Sequence, residues 1–330
     1  MGKIIIISLI CLFGFSSRLF VFQSQHPDTD ELFELRHLQS IKWSDTIKRT
    51  TFYGDHTSYP GEYIIHWMPL RALNMFKKNA DLSYEDGTIG IGKKHFWILA
   101  IPKIMLSLLS FWLFWLLIKD MSGLGIFTAA LIYTFNPTLI YHSFSLRPYG
   151  ILPELAIINI FLASRGKQTL LHGAVIFLTC VYHAYGILIA FLPMIFFRNK
   201  RDSNIVLFII PAIVMWAYYA SYNTFGMTPN KVQSVVDTFQ FITKENFLNG
   251  ILDTLFAGSI LTLAVLPFIV KGSTAAVKKD WMFLLMLVII PLILIIMIDI
   301  KTSYWIHPRQ YCWIVPALAL WCGMMADKCS

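Results

Sequence analysis

The chain has 330 residues, is 56% hydrophobic and only 14% charged, and has a mean hydropathy of +0.61. A water-soluble domain of this size cannot hide so much apolar surface, and apolar runs of roughly 17–25 residues point instead to helices that cross a bilayer. The net charge of +8 does not indicate a nucleic-acid partner, because many basic residues fall in short turns between apolar runs, where membrane topology wants them.

In chain order, apolar patterning predicts ten spans at about 3–22, 95–118, 123–143, 149–164, 168–184, 185–198, 204–221, 249–270, 280–299 and 311–326. Period-two alternation, the mark of a barrel, is absent. The fold class is therefore an all-α polytopic membrane protein, a single membrane domain over residues 1–330. Lys3 to Phe22 is expected to be an uncleaved first span, since no A-x-A-like site follows it. Lys119, Arg165 with Lys167, Arg198 with Lys200 and Arg201, and Lys271 with Lys278 and Lys279 occupy alternate turns. Basic turns face the cytoplasm, which puts both termini inside and the long loops 23–94 and 222–248 outside. Cys11, Cys180, Cys312, Cys322 and Cys329 have neither zinc-site nor disulfide spacing and read as packing residues.

The first outer loop opens with "QHPDTDELFELRHLQ", residues 25–39, which holds Asp28, Asp30, Glu31 and Glu34. Helical spacing aligns Asp30, Glu34 and His37 on one face, and acids in a first helical turn also suit the macrodipole, so Glu34 is accounted for by capping. Asp30 reads differently. A carboxylate at the outer end of a span, beside apolar surface, gains proton affinity and suits a general base for a sugar hydroxyl. Asp28 and Asp30 together also offer oxygen ligands for a divalent cation, Mg or Mn. Further on, "YGDHTSYPGEYIIHWM" carries Asp55 and leads into an amphipathic stretch expected to lie in the interface plane.

The later landmarks are "NPTLIYHSFSLRPYGILPELAIINIFLAS" at 136–164, "TCVYHAYGILIAF" at 179–191 and "HPRQYCWIVPALAL" at 307–320. Arg147 stands between Leu146 and Pro148-Tyr149, and Glu154 lies inside the following span, where a buried carboxylate is costly and usually paired; it either pairs with Arg147 or faces the cavity. His183, beside Tyr182 and Tyr185, and the cations Lys301, His307 and Arg309 all fall at outer span ends, where interface anchoring explains them as well as ligand binding does.

Taken in order, "DE" with an aromatic two residues on, "D-H-x-x-x-P-x-x-Y", "S-x-x-x-R-P-Y", a His/Tyr/Gly segment and a last "R-x-Y…P" span resemble the lipid-dependent glycosyltransferases of the GT-C superfamily. The branch most resembled is that of the dolichyl-phosphate-mannose protein mannosyltransferases and lipid A aminoarabinose transferases. "HPDTDELFE" is also similar to the "HPDE" loop of endoplasmic-reticulum mannosyltransferases with two residues inserted, and Pro60-Gly61 stands where the family has two prolines. The resemblance implies a GT-C fold and a polyprenyl-phosphate-sugar donor. It further implies a glycan, lipid or protein acceptor and inverting transfer on the extracytoplasmic face of a plasma membrane, the bacterial inner membrane being expected.

In that scheme Asp30, Asp55 or Glu31 supplies the catalytic carboxylate. Arg147, Arg309, Lys301 and His307 bind the donor phosphate, and Asp28, Tyr149, Glu154 and His183 complete the site. Competing classes are a polyprenyl-lipid polysaccharide polymerase or ligase, and a lipid-sugar flippase or transporter. The latter calls for charges or broken helices near the midplane, and no internal repeat is present. The orientation is directly testable. A C-terminal fluorescent-protein fusion is expected to fluoresce and a phosphatase fusion at the same place to stay inactive; the reverse result overturns it.

Overall fold

The computed structural model describes residues 2–24, 93–145, 148–165, 167–197, 200–201, 205–225, 260–302 and 308–329, with isolated positions between 51 and 89. These residues are predominantly helical. Helix α1 (Gly2–Ser24) leads to the first long loop, and α2 (Lys93–Ile118) returns from it. There follow α3 (Gly123–Phe135), α4 (Pro137–His142), a 3-10 turn Pro148–Gly150, α5 (Leu152–Ser164), α6 (Leu170–Tyr182), α7 (Gly186–Phe197), α8 (Val206–Phe225) and α9 (Ile260–Ser273). Then α10 (Lys278–Leu284), a π-helical stretch Leu285–Ile289 and α11 (Ile290–Thr302) run on without a break. A 3-10 turn Pro308–Ile314 enters the last helix, α12 (Val315–Asp327).

Three of these segments, Ile7–Ser24, Ala100–Ile118 and Lys278–Met297, are long and apolar enough to cross a membrane, and seven shorter apolar helices accompany them among the described residues. Together they overlap the ten expected spans. Many carry large apolar side chains on their outer faces, such as Phe13 (63% exposed) and Leu207 (69%). Water would penalise that surface, whereas lipid accepts it.

Local chemistry sets the breaks. The expected span 123–143 divides, because Asn136 ends α3 and caps α4 by accepting a hydrogen bond from Leu139 N at 3.0 Å, while Pro137 lacks the N–H that a continuous helix needs. Ser122 and Thr169 cap α3 and α6 in the same way. The π-helical stretch lies just before Pro291, whose ring would clash with the carbonyl four residues back in a regular α-helix. Helix α9 runs to Ser273, past the expected end at 270, and residues 249–259 of that span lie outside the described residues.

The core is built around α12 and the 3-10 turn before it, which together are buried along nearly their whole length from Tyr311 to Ala326, and around α5. Helices α3 and α12 meet backbone to backbone. A Cβ at Gly323 would lie 2.7 Å from Ala129 Cβ and 2.9 Å from the Gly125 carbonyl. Small residues replace the hydrophobic driving force that lipid removes, because they let helix backbones approach and gain dispersion. At this end Asp327 Oδ1 accepts from Ser122 N at 2.5 Å, and Lys328 pairs with Asp280 at 3.1 Å.

Gly323→Leu is expected to force α3 from α12 and cost about 1–3 kcal/mol, as overpacking does. Thermal unfolding in detergent should show the loss, while Leu12→Ala on the exposed face of α1 stays within about 0.5 kcal/mol.

Candidate functional site

At the opposite end of the bundle the feet of the first loop touch. Phe22 near the end of α1 packs edge-to-face on Trp97 near the start of α2, with ring centroids 5.0 Å apart. Phe144, beyond α4, packs edge-to-face on both Phe15 and Phe22, at 6.1 and 5.7 Å. Residues 15, 18 and 22 share one face of a helix, so the turn after α4 lies along the face that carries Arg18.

Arg18 is 1% exposed and sits about 9 Å below the end of α1 by helical rise. Its Nη1 donates to Glu154 Oε1 at 3.1 Å and to Ser107 Oγ at 3.0 Å. The second carboxylate oxygen of Glu154 accepts from Tyr133 Oη at 3.0 Å and from Ser110 Oγ. The guanidinium also lies 4.5 Å from the Phe111 ring centroid and 5.1 Å from that of Tyr133, within cation–π range. One carboxylate thus ties α1, α2, α3 and α5 together. Glu154 itself belongs to the first turn of α5, where the helix dipole favours an anion.

A second cation lies one turn along α2 from Ser107. Lys103, 1% exposed, donates through Nζ to the Ser145 carbonyl. Arg18 Nε and Nη2 and the Ser145 hydroxyl make no hydrogen bond among the described residues. The turn before α5 is held tightly: a Cβ at Gly150 would run into the His142 and Ser143 carbonyls, so only glycine lets the 3-10 turn sit on α4.

A row of rings lines the same end. His142 and His183 each approach Tyr149 edge-to-face at 6.2 Å. The row continues through Tyr185 (4.9 Å from His183) to Trp313 (6.2 Å from Tyr185). His183 ends α6 in an extended conformation, and its Nδ1 accepts from Tyr185 N at 3.2 Å. Cys312 Sγ donates to the Tyr149 carbonyl at 3.2 Å, joining the turn before α12 to the turn before α5. Beneath Trp313, an apolar crevice between α5, α7, α11 and α12 is lined by Ala156, Ile160, Pro193, Pro291 and Ala317 among others.

Of the expected site residues, Tyr149 and His183 meet. Glu154 pairs with Arg18, which projects from the neighbouring α1 directly at the first turn of α5. Asp28, Asp30, Glu31, Asp55, Arg147 and His307 lie outside the described residues, as do the side chains of Lys301, within α11, and Arg309, within the last 3-10 turn. Among the described residues no group of three or more His, Cys, Asp or Glu could hold a metal ion, and the Asp28–Asp30 pair lies outside them. Sequence reasoning missed Arg18, Lys103, Ser107, Ser110 and Tyr133. The available signal was a basic residue inside each of two apolar runs, "FSSRLFVF" and "AIPKIML".

Compared with family models, with curated proteins and with solved structures, the chain finds no match.

Removing one partner of a buried ion pair strands the other charge and costs about 3–5 kcal/mol. Arg18→Gln is therefore expected to lower the unfolding temperature sharply, and Arg18→Gln/Glu154→Gln to recover most of the loss. A double variant as unstable as the sum of the two singles would show that the two side chains are not coupled.

Proposed function

We propose that the chain is a multi-pass membrane glycosyltransferase. In this reading the ten apolar segments all cross the bilayer with both termini cytoplasmic. A sugar passes from a polyprenyl-phosphate-sugar to an acceptor hydroxyl on the extracytoplasmic face with inversion. The observation that carries the reading is the pairing of Arg18 with Glu154 and of Lys103 with the Ser145 carbonyl. The two helices that flank the acidic loop are thereby fastened to the two sides of the segment that holds Arg147. Chain reach tightens the bound, since Asp30 lies within about 20 Å of Ser24 and Arg147 within about 7 Å of Ser145. The reading sets a carboxylate and a guanidinium far apart in sequence at one end of the bundle.

The mechanism follows from the residue types. Asp30 takes the proton of the acceptor hydroxyl, whose oxygen attacks the anomeric carbon. The bond from that carbon to the phosphate oxygen breaks, and its electrons leave with the lipid phosphate. Arg147 and Arg309 meet the charge growing on that phosphate with planar donor pairs, and Lys301 and His307 add further cationic donors. Asp55 orients the acceptor or serves as the base in place of Asp30. Tyr149 and His183 supply ring faces beside the donor.

The buried charges of α1, α2 and α5 favour a second reading, a lipid-sugar flippase, because charges inside a membrane mark transport pathways. Asp30→Asn separates the two. The transferase reading expects sugar transfer to fall about 10²–10⁴-fold with the protein folded, seen as one sugar missing from an envelope glycan by mass spectrometry. An unchanged glycan profile would overturn it, and transport by a flippase would be largely spared.

A further inference from the structure

The cluster beneath the 143–145 turn contains two fully buried cations, Arg18 and Lys103, and one buried carboxylate, Glu154. The carboxylate is well satisfied, with both oxygens accepting. The Arg18 guanidinium is not. Arg18 uses only Nη1, and its Nε–Nη2 edge, the pair of parallel donors that suits an oxyanion, makes no hydrogen bond among the described residues. The Ser145 hydroxyl is in the same state. A contact of Lys103 is to a neutral carbonyl, that of Ser145 itself. Ser107, which bonds Arg18, and Lys103, which bonds Ser145, lie one turn apart on one face of α2, so these donors adjoin.

We infer that Arg18, Lys103 and Ser145 form the inner wall of a phosphate-binding site. The phosphate enters from the end of the bundle where α1 ends and α5 begins, and it replaces the Ser145 carbonyl at Lys103. That exchange sets the ammonium against an anionic oxygen where it now meets an uncharged carbonyl. It also gives the Nε–Nη2 edge of Arg18 a two-oxygen partner and turns the Ser145 hydroxyl to a phosphate oxygen. Glu154 holds the guanidinium in place without competing for that edge. The phosphate belongs either to a lipid headgroup or to free inorganic phosphate. The lipid assignment rests on the transferase reading, with Ser145 two residues from Arg147 in sequence; the phosphate chemistry does not.

Binding to the full chain in lipid nanodiscs tests this, with undecaprenyl monophosphate, undecaprenol and inorganic phosphate as probes. The wild type should bind the lipid phosphate at least about tenfold more tightly than the alcohol, the weight of one charge-assisted hydrogen bond. Lys103→Met should remove that preference while leaving undecaprenol binding unchanged. Because Arg18→Gln alone strands Glu154, Arg18→Gln/Glu154→Gln is the second variant, and it should act likewise. If inorganic phosphate binds as tightly as the lipid phosphate and Lys103→Met abolishes both, the site holds and its ligand is free phosphate. Equal binding of phosphate and alcohol by the wild type, no binding of any probe, or a preference that survives in both variants would each overturn the site. Sugar transfer is not read, so the site can fail while the transferase reading stands, and the reverse.

Discussion

An ion inside an apolar bundle is tolerable only when another charge and good donors surround it, and that constraint organises this protein. Each isolated charge would cost several kcal/mol to take out of water. Glu154 meets the condition through Arg18, Ser110 and Tyr133, drawn from three different helices. A shift of α1 would strand a charge, and a shift of α2 or α3 would cost the carboxylate a donor. The pair is therefore weak as a source of net stability and strong as a device that fixes one arrangement, since competing packings leave a buried ion unpaired.

Helix α5 extends that fixity across the molecule. Its first turn presents Glu154 to α1, α2 and α3, while Ala156 and Ile160 form one wall of the crevice shared with α7, α11 and α12. The small side chains at 156 and 317 leave room there. Pro193 and Pro291 line it from the facing helices, with the π-helical turn just before Pro291. Such irregular backbone is tolerated inside a membrane where neighbouring helices cover it. At the other end of the bundle, glycines do the opposite and bring α3 and α12 together, with helix ends capped by Asp327 and Asp280. One end is drawn tight, and the other carries the polar groups and the ring row.

Much of this was legible from the chain. Apolar run length located the helical segments, because a helix that must satisfy its own backbone in lipid needs a fixed number of apolar residues. The break at Asn136-Pro137 was overlooked although both residues signal it, since hydropathy does not register a cap. Tyr149 was named from the "R-P-Y" motif and His183 from its place at a span end, and their rings lie 6.2 Å apart. Arg18 and Lys103 were passed over because a single charge barely lowers the hydropathy of a long window. Glu154 was recognised as needing a partner, but partner choice is a tertiary fact: Arg147 is near in sequence, and Arg18 is near in space.

The long first loop fits the same logic. Closing a loop costs free energy that grows only slowly with its length, by about 0.6 kcal/mol per doubling, so the insertion is cheap once its ends are held. Here the ends are held by Phe22 against Trp97 and by Arg18 against Ser107. A loop so anchored can vary in its middle while residues near its feet keep a bounded distance from the 143–154 segment. Asp28 and Asp30 are such residues, a few positions past Ser24, whereas Asp55 is farther from both feet. For the proposed transferase, chain reach therefore favours Asp30 over Asp55 as the carboxylate to work with Arg147.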